Sequence, residues 1–374
     1  MARPFEVPSI IRKAMLAPTV VSLFLFACAP QRAEQKPAAP APTSAPAASG
    51  AAPAEKTEAK PAASGPAALT VKFSHVVTRD TPKGKAADKF AELVKQKSNG
   101  RIEAQVFPNS ELYKDAEELE ALQTGAVHFI APGTDKFAGL APQWDALGLP
   151  YLFQNEAAAK KLVGTDSSVS KDLFESMRPK GLLGLGIWGN GWKHFTDSKK
   201  PLQTPADFQG LKFRTSGKTD EAFVKALGAS AQVMAFSEVF GALQQGVVDG
   251  QYNTWSNVLT QKFHEVQKYA TVSRGGVFLT YGVATNAKWW DGLDPADRQV
   301  LSDAMNEATR YENDLADKDN DDAYKELKAS NRMEWYEQTE ADAKVFSQAA
   351  EKVVAEWEPK VGKEIIEKLK AMNN

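Results

Sequence analysis

From Asp294 the chain runs to Ala329 with Pro295 as its only proline and with no glycine. Asp294 reads as an N-cap and Pro295 as a first-turn residue, so the run predicts one helix. Its roughly 35 residues would span about 50 Å at 1.5 Å rise each. A helix of that length in a globular chain must cross more than one packing unit or project from the molecule, and crossing is the economical reading. A weak repeat points the same way. Residues 121–127 read Ala-Leu-Gln-Thr-Gly-Ala-Val, and residues 242–248 read Ala-Leu-Gln-Gln-Gly-Val-Val. In both copies a helical pattern ends, a glycine stops it, and a strand follows. The bland alternative is that any helix-to-strand turn wants glycine and small apolar residues, although such a turn does not require the shared Gln.

Strand and helix patterns alternate along the rest of the domain, which predicts α/β architecture. Leu69 to Phe73 alternates at period two. Thr81-Pro82 then opens a helix carrying Ala86, Ala87, Phe90, Leu93 and Val94 on one face, and Gly100 closes it. Further strands are expected near 101–107, 128–131, 182–188, 211–214 and 232–234. Further helices are expected near 115–124, 155–163, 167–177 and 219–227, and one capped by Ser237. The expected fold is two α/β lobes, 69–190 plus 279–318 and 191–278 plus 319–374, with the long helix crossing both.

The amino-terminal segment reads differently. Arg3, Arg12 and Lys13 precede an apolar run from Ala14 to Ala27. About 14 residues are too few to span ~30 Å of hydrocarbon, so residues 1–27 read as a signal peptide. Leu25-Phe26-Ala27-Cys28 resembles the lipobox of bacterial lipoproteins, with Phe26 standing where a small residue is usual. Cys28 is the one cysteine of the chain, and a lone thiol in an oxidising compartment is a liability, so acylation is the expected use. The alternative is a plain secretory signal in which Cys28 is incidental. Residues 29–68 hold 16 Ala and 8 Pro, with no aromatic, Val, Ile or Leu. Such a segment cannot offset its ordering entropy and is expected to be a disordered tether reaching roughly 35 Å.

Charge and motifs exclude several functions. Net charge is −2, and removal of residues 1–27, with three cations and one acid, takes it to about −4, which argues against a nucleic-acid partner. The four histidines are far apart, so no metal or cofactor is expected. Ser216-Gly217-Lys218-Thr219 looks like the tail of a phosphate loop, but Lys212 stands where its first glycine is needed. With no catalytic constellation, a binding role is favoured over an enzyme.

The sequence resembles the solute-binding proteins of TRAP (tripartite ATP-independent periplasmic) transporters, DctP type. The resemblance is carried by the stretches 72–85, 207–214, 234–240, 242–253 and 262–268. These read KFSHVVTRDTPKGK, DFQGLKFR, MAFSEVF, ALQQGVVDGQYN and KFHEVQK. It implies a two-lobed periplasmic protein that closes on a small carboxylate and docks on membrane transporter subunits, with the membrane also reached through the lipid anchor. It implies that Arg214 is the carboxylate clamp, a role suited to a planar fork of N–H donors. Asn253 matches a family asparagine that bonds the carboxylate region, and Phe236 a cleft aromatic. Lys193 falls where many members carry a second arginine, and His194 is a neighbouring substitute. Trp255, His75, Trp188 and Trp192 are further candidates for the cleft. Together they predict an aromatic, weakly cationic pocket for a monocarboxylate with an apolar body. A ligand sensor with the same site, a periplasmic enzyme and a structural envelope lipoprotein are the competing readings.

Overall fold

The computed structural model describes residues 69–374; the signal, Cys28 and tether expectations lie outside the described residues. The described chain is mixed α/β and contains two sheets. The first takes β1 (Leu69–Ser74), β2 (Ile102–Phe107), β3 (Phe129–Ile130) and β4 (Leu182–Trp192). The second takes β5 (His194–Asp197), β6 (Lys212–Thr215), β7 (Ser230–Val233), β8 (Gly250–Asn253) and β9 (Tyr269–Val272). The chain then returns to the first sheet with β10 (Phe278–Asn286) and ends in the second with β11 (Glu334–Glu337). Strand order is β2-β1-β3-β10-β4 in one sheet and β11-β9-β5-β8-β6-β7 in the other.

Each sheet has the same kernel. β1 lies parallel between β2 and β3, and β6 lies parallel between β7 and β8. The two copies of the short repeat lead into the inner partner of each kernel. Gly125 and Gly246 adopt φ of 80° and 70°, left-handed values that favour glycine. Ala126 N donates to Ala121 O at 2.8 Å, and Val247 N donates to Ala242 O at 2.9 Å. The likeness therefore reaches the hydrogen bonds of the turn.

The chain passes between the sheets three times: at Lys193, between β4 and β5; through 273–277; and along the helix Pro295–Ala329. That helix is one 35-residue element capped by Asp294, whose side chain accepts from Ala296 N. Its first half gives Leu301, Ala304, Met305 and Ala308 to the core under the first sheet. Its second half gives Ala323 and Leu327 to another cluster, with Val239, Val258 and Phe263. The helix Glu340–Val361 packs on both the helix Lys218–Ala226 and the turn Pro142–Gly148, so the carboxy-terminal layer belongs to neither sheet alone. One local expectation fails. Ser237 is not a cap; a short 3-10 turn, Phe236–Glu238, leads into the helix Val239–Gln244. The turn is tied instead from across the cleft, where Phe236 N donates to Asp115 Oδ2 at 2.8 Å.

Candidate functional site

A cavity lies between the two sheets, and Arg214, Lys83, Lys136 and Lys193 all reach its wall. Arg214 sits on β6, a strand held on both sides, and is 2% exposed. Its Nε and Nη2 both donate to Met234 O, at 3.2 and 3.0 Å. Five N–H donors less two leave three for another acceptor. The Phe236 ring lies 5.7 Å from the guanidinium carbon. Burial pulls the guanidinium below its usual pKa, while Asp115, Asp220 and Asp135 oppose that pull. Among the described residues no carboxylate stands within 4 Å of it.

Two of the lysines are already neutralised. Lys193 Nζ donates to Asp220 Oδ2 at 2.6 Å, and both side chains are buried. Asp220 also accepts from Ser216 Oγ at 2.7 Å, in the first turn of its helix, where a negative charge is favoured. Lys136 Nζ donates to Asp135 Oδ2 at 2.8 Å and to Ser216 O. Asn253, at the end of β8, accepts through Oδ1 from Thr254 N and Asn257 Nδ2, each at 2.9 Å. Its own amide hydrogens are therefore the free end. Tyr281 Oη takes Asn190 Nδ2 at 3.0 Å and Asn257 Nδ2 at 3.2 Å, which fixes that ring in the wall.

A buried pocket with an unneutralised arginine fork, an amide donor and an aromatic flank is an anion-binding arrangement. It coincides with a family match over residues 73–360, to the DctP model of bacterial extracellular solute-binding proteins, family 7. This chain belongs to the DctP family. It is 46% identical over 306 residues to the C4-dicarboxylate-binding periplasmic protein DctP of Rhodobacter capsulatus, covering 81% of this chain and 90% of that one. It is 40% identical to the C4-dicarboxylate-binding protein DctB of Bacillus subtilis, covering 80% and 85%. A TRAP periplasmic solute-binding protein from Shewanella oneidensis, solved with bound succinate, superposes with a TM-score of 0.79 at 37% identity, covering 82% and 99%. The two-lobed α/β fold expected from the sequence is the fold of that structure.

Of the candidate residues in this DctP-family protein, Arg214, Lys193, Asn253 and Phe236 meet at one cavity, whereas His75, His194 and Trp255 do not line it. Neighbours on an extended chain face opposite ways, so with Lys193 turned to the cavity, His194 points behind it. The His194 ring stacks on Trp255 with centroids 4.4 Å apart, and its Nδ1 accepts from Ser273 N at 3.0 Å. His75 packs edge-on against Phe73 in the core. Trp188 is likewise core, its Nε1 donating to Thr309 Oγ1 at 2.9 Å, and Trp192 packs on Phe278 outside the cavity. The aromatics that do line it are Phe236, Tyr252 and Tyr281. The expected aromatic, weakly cationic pocket is thus corrected to one lined by four cations, of which Arg214 and Lys83 have no aspartate paired with them among the described residues, and a monocarboxylate is no longer favoured.

Lys83, Lys136 and Asp115 were not among the candidates. For Lys83 a signal existed. It stands in the first turn of the helix Pro82–Lys97, where the macrodipole disfavours a cation, so the local choice conflicts with local physics. Gly84 beside it is equally constrained, because a Cβ there would lie 2.3 Å from Thr78 O.

Behind the cavity, Glu118 and Glu312 are fully buried. Among the described residues, Glu118 accepts one hydrogen bond, from Ser74 Oγ at 3.0 Å, while its Oε2 and both Glu312 oxygens lack a partner. Burial raises both carboxyl pKa values, with Lys83 opposing. Burial lowers His75 and His194 to about 3, and Lys83 and Arg79 push His75 further down. Between pH 3 and 6.5 the unfolded histidines bind more protons than the folded ones, so stability rises with pH. Above pH 4.5 the folded glutamates hold protons that the unfolded chain releases, so stability falls. Urea titrations should therefore show a maximum between about pH 4.5 and 6.5, and Glu312→Gln should flatten its alkaline side.

Proposed function

We propose that this protein captures a small dicarboxylate of the C4 class between its lobes and delivers it to the membrane subunits of a TRAP transporter. The observation that carries the reading is Arg214, a buried guanidinium with three free N–H donors and, among the described residues, no carboxylate beside it. The Rhodobacter capsulatus and Bacillus subtilis relatives bind C4-dicarboxylates by name, which supports that ligand class. Capture requires no bond to be made or broken. The acid enters the cleft, Arg214 takes one carboxylate, and Asn253 donates from β8. Lobe closure then removes water, and charge-assisted hydrogen bonds gain strength in the drier medium.

Contacts across the cleft complete the closure. Phe236 N donates to Asp115, Lys136 donates to Ser216 O, and Lys114 pairs with Glu238 at 2.6 Å. Titration calorimetry of the purified protein with succinate, fumarate and malate should show saturable one-to-one binding for at least one of the three. The reading is overturned if none binds.

The amino-terminal segment fits delivery at a membrane. In this reading Cys28 is acylated after cleavage of residues 1–27, and the tether holds the binding domain at high local concentration near its transporter. Cys28→Ser should release the protein from the membrane fraction into the extracytoplasmic fluid with ligand affinity unchanged. Retention of the variant on the membrane would remove the anchor from the account.

A further inference from the structure

We infer that Lys83 is the anchor for the second carboxylate of the ligand and sets the preference for dianions over monoanions. This rests on the carboxylate-binding reading above. Four cations face the one cavity. Of its four cations, Lys136 and Lys193 each have an aspartate within 2.8 Å. Arg214 has none and takes the first carboxylate. Lys83 is the other cation without one among the described residues.

Lys83 is 1% exposed, yet it reaches the cavity wall. Its Nζ donates to Ala131 O at 2.9 Å and lies 3.8 Å above the centroid of the Tyr281 ring. An ammonium has three donors, so two remain. The carbonyl and the ring orient the group without cancelling its charge. Tyr281 is itself pinned by Asn190 and Asn257, so the platform under the ammonium is rigid. The acids nearest in charge do not close the account. Glu118 and Glu312 are the buried carboxyls whose pKa values burial raises, with Asp115 and Asp135 further contributors to the field at Lys83. None of the four makes an ion pair with it.

The two unneutralised cations come from opposite sides of the cleft. Lys83 belongs to the helix that follows β1 of the first sheet, and Arg214 to β6 of the second. A dicarboxylate can answer both, and in doing so it ties the lobes together. A monocarboxylate leaves one buried charge unanswered, which is costly in a dry site. Specificity then arises from the penalty on the wrong ligand as well as from the contact with the right one.

The test compares succinate with butyrate, acids of equal carbon count that differ by one carboxylate, on wild-type protein and on Lys83→Met. Methionine keeps most of the side-chain length over Tyr281 and removes the charge. Succinate affinity should fall roughly 100-fold, the scale of truncating one partner of a buried charge pair, while butyrate affinity should hold or rise, because the variant leaves no buried charge unanswered. Retained butyrate binding also reports that the variant is folded; should Lys83→Met not fold, Lys83→Gln takes its place. The assignment is overturned if the ratio of the two affinities is the same in wild type and variant. Wild-type protein that binds neither acid would instead remove the carboxylate reading, and Lys83 with it, so the two failures are distinguishable.

Discussion

Arg214→Ala should lower carboxylate affinity by two to three powers of ten in titration calorimetry, for dianions and monoanions alike. Truncating one partner of a buried, hydrogen-bonded charge pair costs about 3–4 kcal/mol, and each 1.4 kcal/mol is tenfold in affinity. The fold should tolerate the change, because the protein hydrogen bonds lost are the two to Met234 O. Arg214→Lys should recover little. Lysine keeps the charge, but it cannot serve Met234 O with one edge and a carboxylate with the other, since that needs the planar fork. Loss of affinity in Arg214→Ala without loss of melting temperature is the expected pattern. An unchanged dissociation constant would remove Arg214 from the site.

Phe73→Ala should cost about 3–5 kcal/mol of unfolding free energy, the usual cost of deleting a fully buried aromatic. Phe73 sits in β1 with no exposed surface. Its ring meets Phe90 from the helix Pro82–Lys97 at 5.8 Å, Phe129 from β3 at 6.2 Å and Trp188 from β4 at 6.0 Å. One side chain thus joins three strands and the helix that carries Lys83. Urea unfolding followed by tryptophan fluorescence reads the loss, because Trp188 lies in the contact. A loss below about 1 kcal/mol would mean that the cluster closes over the gap, against the normal behaviour of close-packed interiors.

Both predictions depend on features of different legibility. The alternation of Leu69 to Phe73, the Thr81-Pro82 start of the following helix and the glycine stops at Gly125 and Gly246 were readable because they are local. Each follows from one residue's backbone preference or from a short period. The helix Pro295–Ala329 was readable for the same reason, and its length alone implied that it serves more than one core. Arg214 was readable through the motif around it. The helix start assigned to Ser237 failed because the group that ties the turn, Asp115, lies 121 positions away.

The amino-acid sequence by itself determined the α/β alternation, the long crossing helix, the paired turns and the candidacy of Arg214. Tertiary structure decided which neighbours share a cavity. It turned Lys193 inward and His194 to the back, because one residue along an extended chain reverses the side it faces. It also decided which cations remain available. Lys193 is cancelled by Asp220, 27 positions on, whereas Lys136 is cancelled by its neighbour Asp135. Among the described residues, Lys83 meets a carbonyl and a tyrosine ring and no paired acid. A charge's identity is written in the chain, but its neutralisation depends on distance in space, and for Lys193 and Lys83 that distance exists only once the chain has folded.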